Sequence, residues 1–196
     1  SEGGVEEELM ASILRQNERL DTMTGQILTL YRVTEQGGDI AREPVRPVDL
    51  LNHVLRDSTE YAEYRSVDCK LVSMPESTGV SVLGDVGLLQ RAFDNILQNA
   101  LDHTPPGKVV HVALTVSAGW ISLMIEDEGP GVADEILEHL FEPFFRADKS
   151  RGGQGWGLGL AIAKHIILVH DGEITANNSE RGGLQIVVRL PVFAAD

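Results

Sequence analysis

Three short polar-and-glycine segments follow one another in the second half of this chain, and they constrain its fold more than any other feature. Asn95 and Asn99 stand four residues apart in DNILQNALDHT. Asp127, Gly129 and Gly131 lie in DEGPGV, and Gly155, Gly157 and Gly159 in GQGWGLGL, with the aromatic block FEPFFR (Phe141 to Arg146) between those two. Each alone has an ordinary explanation: a solvated helix face, a common turn, a flexible loop. In this order they supply a metal ligand, a base reader and a phosphate cradle, provided that a helix face, a strand end and a helix N-terminus meet at one place.

The surrounding patterns predict such elements. Residues 5–36 read as one long helix, with Leu9, Ile13, Gln16, Leu20, Met23, Ile27, Leu30 and Thr34 spaced by fours and threes. Most of these positions are apolar, which is the seam of a coiled coil or bundle. Glu6, Glu7 and Glu8 suit the positive end of the helix dipole, and Gly37-Gly38 stops the helix. Pro44 and Pro47 make 37–47 an extended linker. A helix is predicted over 48–65, strands over 67–73 and 80–83, and a helix from an Asp85 N-cap to about Asp102. Residues 108–116 and 120–126 alternate as hairpin strands about Ala118-Gly119. A short helix from Asp134, an aperiodic lid over 142–155, a helix over 157–169 and strands at 173–176 and 184–190 complete the chain. Hairpin strands with helices on one face give the fold class α/β: a two-layer sandwich, its mixed sheet backed by helices and preceded by one long helix.

Bulk properties exclude several classes of function. The formal charge is −14, which opposes nucleic acid, whose phosphates demand clustered Lys and Arg, and anionic membrane surfaces. No apolar run reaches the ~18 residues of a membrane helix, and no signal peptide is visible. The lone Cys69 cannot form an internal disulfide and fits a half-buried strand position in a reducing compartment. Ser1 to Gly4 reads as a truncation point or an artificial start.

The helix after Asp85 carries an apolar stripe (Leu89, Phe93, Ile96, Leu97, Ala100) and a polar one (Arg91, Asn95, Asn99, His103). Asn is a mediocre helix former, so two on one face call for a reason. An amide oxygen offered to a hard cation is one, since Mg²⁺ takes oxygen ligands and shares its shell with substrate phosphates. Asp127 at a strand end, with glycines that let a ligand approach the backbone, can accept from an exocyclic amine. The glycine-led helix near Gly157 presents free N–H groups and a dipole to an anion. It is neither a P-loop nor a dinucleotide-binding fingerprint, because neither spacing is present.

This order of motifs resembles the ATP-binding domain of sensor histidine kinases, of the GHKL (Bergerat) type, over residues 48–192. Residues 5–36 resemble the second helix of those kinases' dimerisation and phosphotransfer bundle, and envelope-stress sensor kinases of Gram-negative bacteria are similar. The resemblance implies ATP and Mg²⁺ as cofactors. It implies Asn99 as the metal ligand, Asn95 beside it as a catalytic residue near the triphosphate, and Asp127 as the reader of the adenine amino group, with Gly129 and Gly131 leaving room. It places Gly155, Gly157, Leu158 and Gly159 around the phosphates and His103 along the nucleotide pocket. Phe141, Phe144 and Phe145 anchor the lid, and Arg146, Lys149 and Arg151 are the cations available to the γ-phosphate, Arg146 being named as catalytic. The implied activity is transfer of the γ-phosphoryl group to a bundle histidine, relayed to an aspartate in the receiver domain of a response regulator. The implied partners are that regulator and a second copy of the chain, joined through the bundle helix. The domain is then cytoplasmic and the full-length protein sits in a bacterial inner membrane.

Two departures qualify the resemblance. Asp102 stands where the family has a base, which weakens phosphate contacts unless its carboxylate points away. None of the histidines His53, His103, His111, His139, His165 and His170 has the phosphoacceptor's setting, so the chain reads as a fragment lacking the first bundle helix. The rival readings are an anti-sigma-factor serine kinase, disfavoured by the long helix, and a pseudokinase-like binding module, which Asp102 keeps open. Superfamily chaperones and gyrase-type ATPases need other domains.

Overall fold

The computed structural model describes residues 2–35, 40–75, 79–147 and 156–193. The elements, in order, are α1 (Glu2–Glu35), β1 (Glu43–Val45), α2 (Pro47–Asp57), α3 (Thr59–Arg65), β2 (Asp68–Ser73), β3 (Val82–Gly84), α4 (Val86–His103), β4 (Val109–Ser117), β5 (Trp120–Glu126), α5 (Asp134–Leu137), α6 (Gly159–Val169), β6 (Glu173–Asn178) and β7 (Leu184–Pro191).

Five strands form one sheet in the order β2-β4-β5-β7-β6. Only the β2–β4 pair is parallel; the hairpins β4–β5 and β6–β7 and the β5–β7 pair are antiparallel. Strict alternation puts Val112 and Leu114, Leu123 and Ile125, and Ile186 and Val188 on the buried face, as a pleat of period two requires. Helices α4 and α6 cover that face with Leu89, Phe93, Ile96 and Leu97, and with Ile162 and Ile166, all essentially inaccessible. Each such side chain contributes roughly 1.5–3 kcal/mol by leaving water. The result is the two-layer α/β sandwich that the alternation predicts, with α4 and α6 packed against each other.

Four local features differ from the sequence reading. The helix expected over 48–65 is two helices, parted at Ser58, whose N–H bonds the Val54 carbonyl. The run Asp57-Ser58-Thr59 offers short polar side chains that compete for helix backbone groups, and Thr59 bonds back to the Leu55 carbonyl. Within the stretch 37–47 expected as linker, β1 pairs antiparallel with β3, Pro44 opposite Leu83. A two-stranded ribbon tolerates the missing proline donor at its edge. Cys69 lies on β2 but is exposed, because β2 is the edge strand. Phe144 is also exposed (57%). Gly37-Gly38 and most of the glycine-rich part of the lid lie outside the described residues.

Helix α1 is as long as its periodicity predicts. Its last turns lie against α6, with Val33 buried and Leu30 half-buried. The seam residues Ile13, Leu20 and Ile27 stay 47%, 54% and 40% exposed.

Candidate functional site

Helix α4 starts where the sequence says it does. The Asp85 carboxylate accepts the Leu88 N–H at 3.0 Å, a cap worth about 1 kcal/mol. Its apolar stripe is driven into the core, which turns the polar stripe towards α6 and the loop after β5. Arg91, the first member of that stripe, donates to the Gly25 carbonyl of α1 at 3.3 Å and so serves the α1 contact. Asn95 is half-buried, and its Nδ2 is a buried donor without a partner among the described residues. Its side chain lies 3.8 Å from where a Cβ on Gly159 would stand, so α4 and the N-terminus of α6 meet there. Asn99 follows one turn on, half-buried.

The first turn of α6 has no side-chain cap and no acidic residue. Its free N–H groups and the dipole therefore favour an anion. Leu158 puts its side chain in the core and can offer a ligand only its backbone. Gly157 has φ +70°, and a Cβ there would lie 2.4 Å from the Phe145 carbonyl. The Phe144 N–H also bonds the Gly157 carbonyl at 2.9 Å. The start of the lid is thus anchored by the backbone of 144–145, with Phe141 and Phe145 half-buried. The exposed Phe144 ring is no anchor. Arg146 is half-buried; Lys149, Arg151 and Gly155 lie outside the described residues.

Asp127 directly follows β5 and is only 2% exposed. Its N–H donates to the Leu184 carbonyl at 3.0 Å, and its Oδ1 accepts the Gly129 N–H at 2.8 Å. Burial pushes its pKa up, against the opposing pull of the N–H groups and of His103. No ion pair reaches it among the described residues. A Cβ on Gly129 would meet the His103 carbonyl at 2.6 Å, and one on Gly183 the Asp127 carbonyl at 1.9 Å. The backbone is packed around this carboxylate too closely for side chains. The exposed His103 stands at the same corner. The structure therefore gathers Asp127, Gly129 and His103 in one corner and Asn95 and Gly159 in another, joined by α4.

Asp102 resolves the first departure. Its Oδ1 accepts from Arg65 at 2.7 Å and from the Tyr61 hydroxyl at 2.5 Å, while Arg65 also holds the Asp102 carbonyl at 2.7 Å. Helix α3 thus takes the carboxylate and neutralises it. Tyr61 and Arg65 were not legible as partners, because nothing in the sequence tells which side of α4 the helix α3 covers. Asn178 was also missed; it grips the far end of the DEGPGV loop. The pair Asn177-Asn178 before a glycine-rich turn was its only signal. A cavity of about 390 Å³ lined by Pro44, Arg46, Leu50, His53 and Val86 lies at the other end of α4 and contains none of these residues.

The model of the "Histidine kinase-, DNA gyrase B-, and HSP90-like ATPase" family matches residues 84–194, more than half of the chain. Sensor histidine kinase TrcS of Mycobacterium tuberculosis is 35% identical over 190 residues, which cover 94% of this chain and 36% of that protein. Sensor histidine kinase CpxA of Escherichia coli is 33% identical over 180 residues, covering 90% and 38%. The chain thus spans little more than a third of the length of these relatives. Among solved structures, the mycobacterial sensor histidine kinase MprB superposes with a TM-score of 0.67 at 30% identity, covering 79% of this chain and 99% of that one. Full-length ShkA in complex with AMPPNP shares the fold at a TM-score of 0.80 and 24% identity, over 94% of this chain and 38% of that one. A polar face on α4, a glycine-bounded acidic loop and an uncapped helix start, on this two-layer sandwich, agree with those matches: the chain belongs to the histidine kinase-, DNA gyrase B- and HSP90-like ATPase family, in its sensor histidine kinase branch.

Proposed function

We propose that the chain binds Mg²⁺-ATP between α4, the Asp127–Gly131 loop and the start of α6, and transfers the γ-phosphoryl group to a histidine on a helical bundle. The observation that carries this reading is Asp127. A carboxylate buried without a cationic partner is costly unless a ligand donor meets it, and the adenine amino group is such a donor. Gly129 and Gly131 let the ring approach. At the other corner Asn95 offers a donor without a partner among the described residues, beside the N–H groups of the first turn of α6, where phosphate oxygens are acceptors.

The residues present fit a magnesium ion. Asn99 offers a neutral amide oxygen, and no cluster of three or more His, Cys, Asp or Glu is gathered among the described residues. That donor set suits a cation carried in by phosphates and held by one or two protein oxygens. When bound, the ion neutralises phosphate charge. The chain's own contribution is positioning and electrostatics, as phosphoryl transfer requires. In this reading Asp127 fixes the base, Asn95 and the Gly157–Gly159 backbone align the triphosphate, His103 lines the pocket, and Arg146, Lys149 and Arg151 serve the γ-phosphate.

The names of TrcS and CpxA, both sensor histidine kinases, support histidine as the acceptor; in this reading an aspartate of a response regulator is the onward carrier. Residues 5–36 serve as the second bundle helix, through which two copies pair, and the acceptor histidine is carried outside residues 1–196. The domain works in the cytoplasm beneath a membrane-anchored sensor. Asp102, the feature that favoured a nucleotide-free binding module, is engaged by α3 and no longer speaks for that alternative.

Melting the chain with Mg²⁺ and a non-hydrolysable ATP analogue tests this. Saturable stabilisation of roughly 2.7 kcal/mol is expected at ~100 times the dissociation constant, lost in Asp127→Asn and weakened in Asn99→Asp. An unchanged melting temperature of the parent at millimolar nucleotide would sink the reading.

A further inference from the structure

The loop after β5 is held in shape by a residue from the far edge of the sheet. Asn178, the last residue of β6, accepts the Val132 N–H through Oδ1 at 3.0 Å. Its Nδ2 donates to the Val132 carbonyl at 2.8 Å and to Asp134 Oδ1 at 3.0 Å. One planar amide therefore serves both backbone groups of a single residue, as a neighbouring strand would. Gly131 sits on this amide with φ +66°, and a Cβ there would lie 2.8 Å from Asn178 Oδ1 and 3.0 Å from the Gly182 carbonyl.

The start of the loop is fastened separately. Asp127 N–H bonds the Leu184 carbonyl at 3.0 Å, and the neighbouring Glu126 takes the Ser179 hydroxyl and pairs with Arg181 at 3.5 Å. The turn between β6 and β7 thus grips the near end, and Asn178 grips the far end. Gly129, Pro130 and Gly131 span the gap opposite α4.

We infer that Asn178 is the positioning residue for base recognition: it sets the distance between the Asp127 carboxylate and the Gly131–Val132 wall, and so admits adenine in one register, without touching the ligand. This rests on the nucleotide reading above. Loss of the amide leaves Asp127 in place but frees the opposite wall, so the base contribution falls while the triphosphate contribution persists.

The test titrates the 196-residue chain calorimetrically with ATP, GTP and inorganic tripolyphosphate in Mg²⁺, alongside melting without nucleotide. Asn178→Ala is expected to weaken ATP about tenfold, the equivalent of two net hydrogen bonds of the loop, to narrow the ATP-over-GTP preference, and to leave tripolyphosphate unchanged. Asn178→Asp keeps the acceptor for Val132 N–H but sets a carboxylate against the Val132 carbonyl and Asp134, and should weaken ATP further. Adding Asp134→Asn returns a donor and should restore part of the affinity. This pair also carries the comparison if Asn178→Ala does not fold. The inference is overturned if the parent binds ATP and Asp127→Asn loses it, while the Asn178 variants merely melt lower with unchanged ATP affinity and unchanged ATP-over-GTP preference. A parent that binds no ATP, with Asp127→Asn equally silent, overturns the nucleotide reading and this inference with it.

Discussion

Asp127 and Asp102 are both acids near the proposed nucleotide site, and their surroundings give them opposite meanings. Asp127 is desolvated, so its pKa is raised from 3.8. A raised value means that the folded chain holds its proton above the pH at which the unfolded chain releases it. Stability from this group therefore falls as pH rises through the window above 3.8. Asp127→Asn removes the charge but keeps an oxygen for the Gly129 N–H. Without nucleotide it should melt higher than the parent at pH 7 and equal to it near pH 4; a variant melting lower at pH 7 would contradict the desolvation argument. Asp102 has its charge met by Arg65 and Tyr61. Both partners of the ion pair are partly solvated, so Asp102→Asn should cost only about 0.5–1 kcal/mol. Its nucleotide affinity should match the parent's, because the carboxylate belongs to α3. A marked gain in affinity would show that the acid repels the triphosphate.

At the scale of elements, α6 is the piece on which the others converge. Its start faces the candidate phosphate site, its flank carries α1, and its end is pinned twice. Arg42 donates to the Val169 carbonyl at 2.9 Å and pairs with Asp171 at 2.6 Å. His170, 2% exposed, bonds the Ile166 carbonyl through Nδ1 at 2.6 Å and receives the Asp85 N–H on Nε2 at 3.0 Å. A backbone N–H can only donate, so Nε2 is unprotonated and Nδ1 carries the hydrogen. Gly84 is pressed against this ring, where a Cβ would lie 2.3 Å from Cδ2. Burial first, and then Arg42, hold His170 below its ordinary value of 6.5, while the bond to the Ile166 carbonyl, and then Asp85 and Asp171, pull the other way. The folded value is depressed, so the unfolded chain binds the proton first. The stability tied to this ring is complete above pH 6.5 and is lost as pH falls below it. His170→Gln should flatten that acid limb of the melting curve. At neutral pH it should cost about 1–3 kcal/mol through the unpaired Asp85 N–H. An unaltered acid limb in the variant would show that other groups govern it.

For the whole molecule, the open question is what α1 does. Met10, Ile13, Leu14, Leu20 and Leu28 stand exposed along it, and exposed apolar side chains grouped on one element mark an interaction surface. Sedimentation of the chain should show self-association that vanishes in a version beginning after Gly38. That version should still be stabilised by nucleotide, but should melt lower, since removing Val33 from its place on the core forfeits roughly 1.5–3 kcal/mol. Persistent dimerisation without α1 would move the contact elsewhere. The layers, the alternating strands and the Asp85 cap were legible because they follow local rules: a period of two or 3.6, a capping side chain, a glycine where the chain turns. Tertiary structure alone decided that Ser58 parts α2 from α3, that β1 closes a ribbon with β3, that Phe144 is exposed, and that Asn178 shapes the loop from β6. It also decided the meaning of Asp102, whose partners lie 37 and 41 residues away in sequence. The difference is physical: periodicity and capping act over a few residues and leave a trace in the sequence, whereas charge neutralisation and loop support depend on which surfaces the packed sheet and helices bring together.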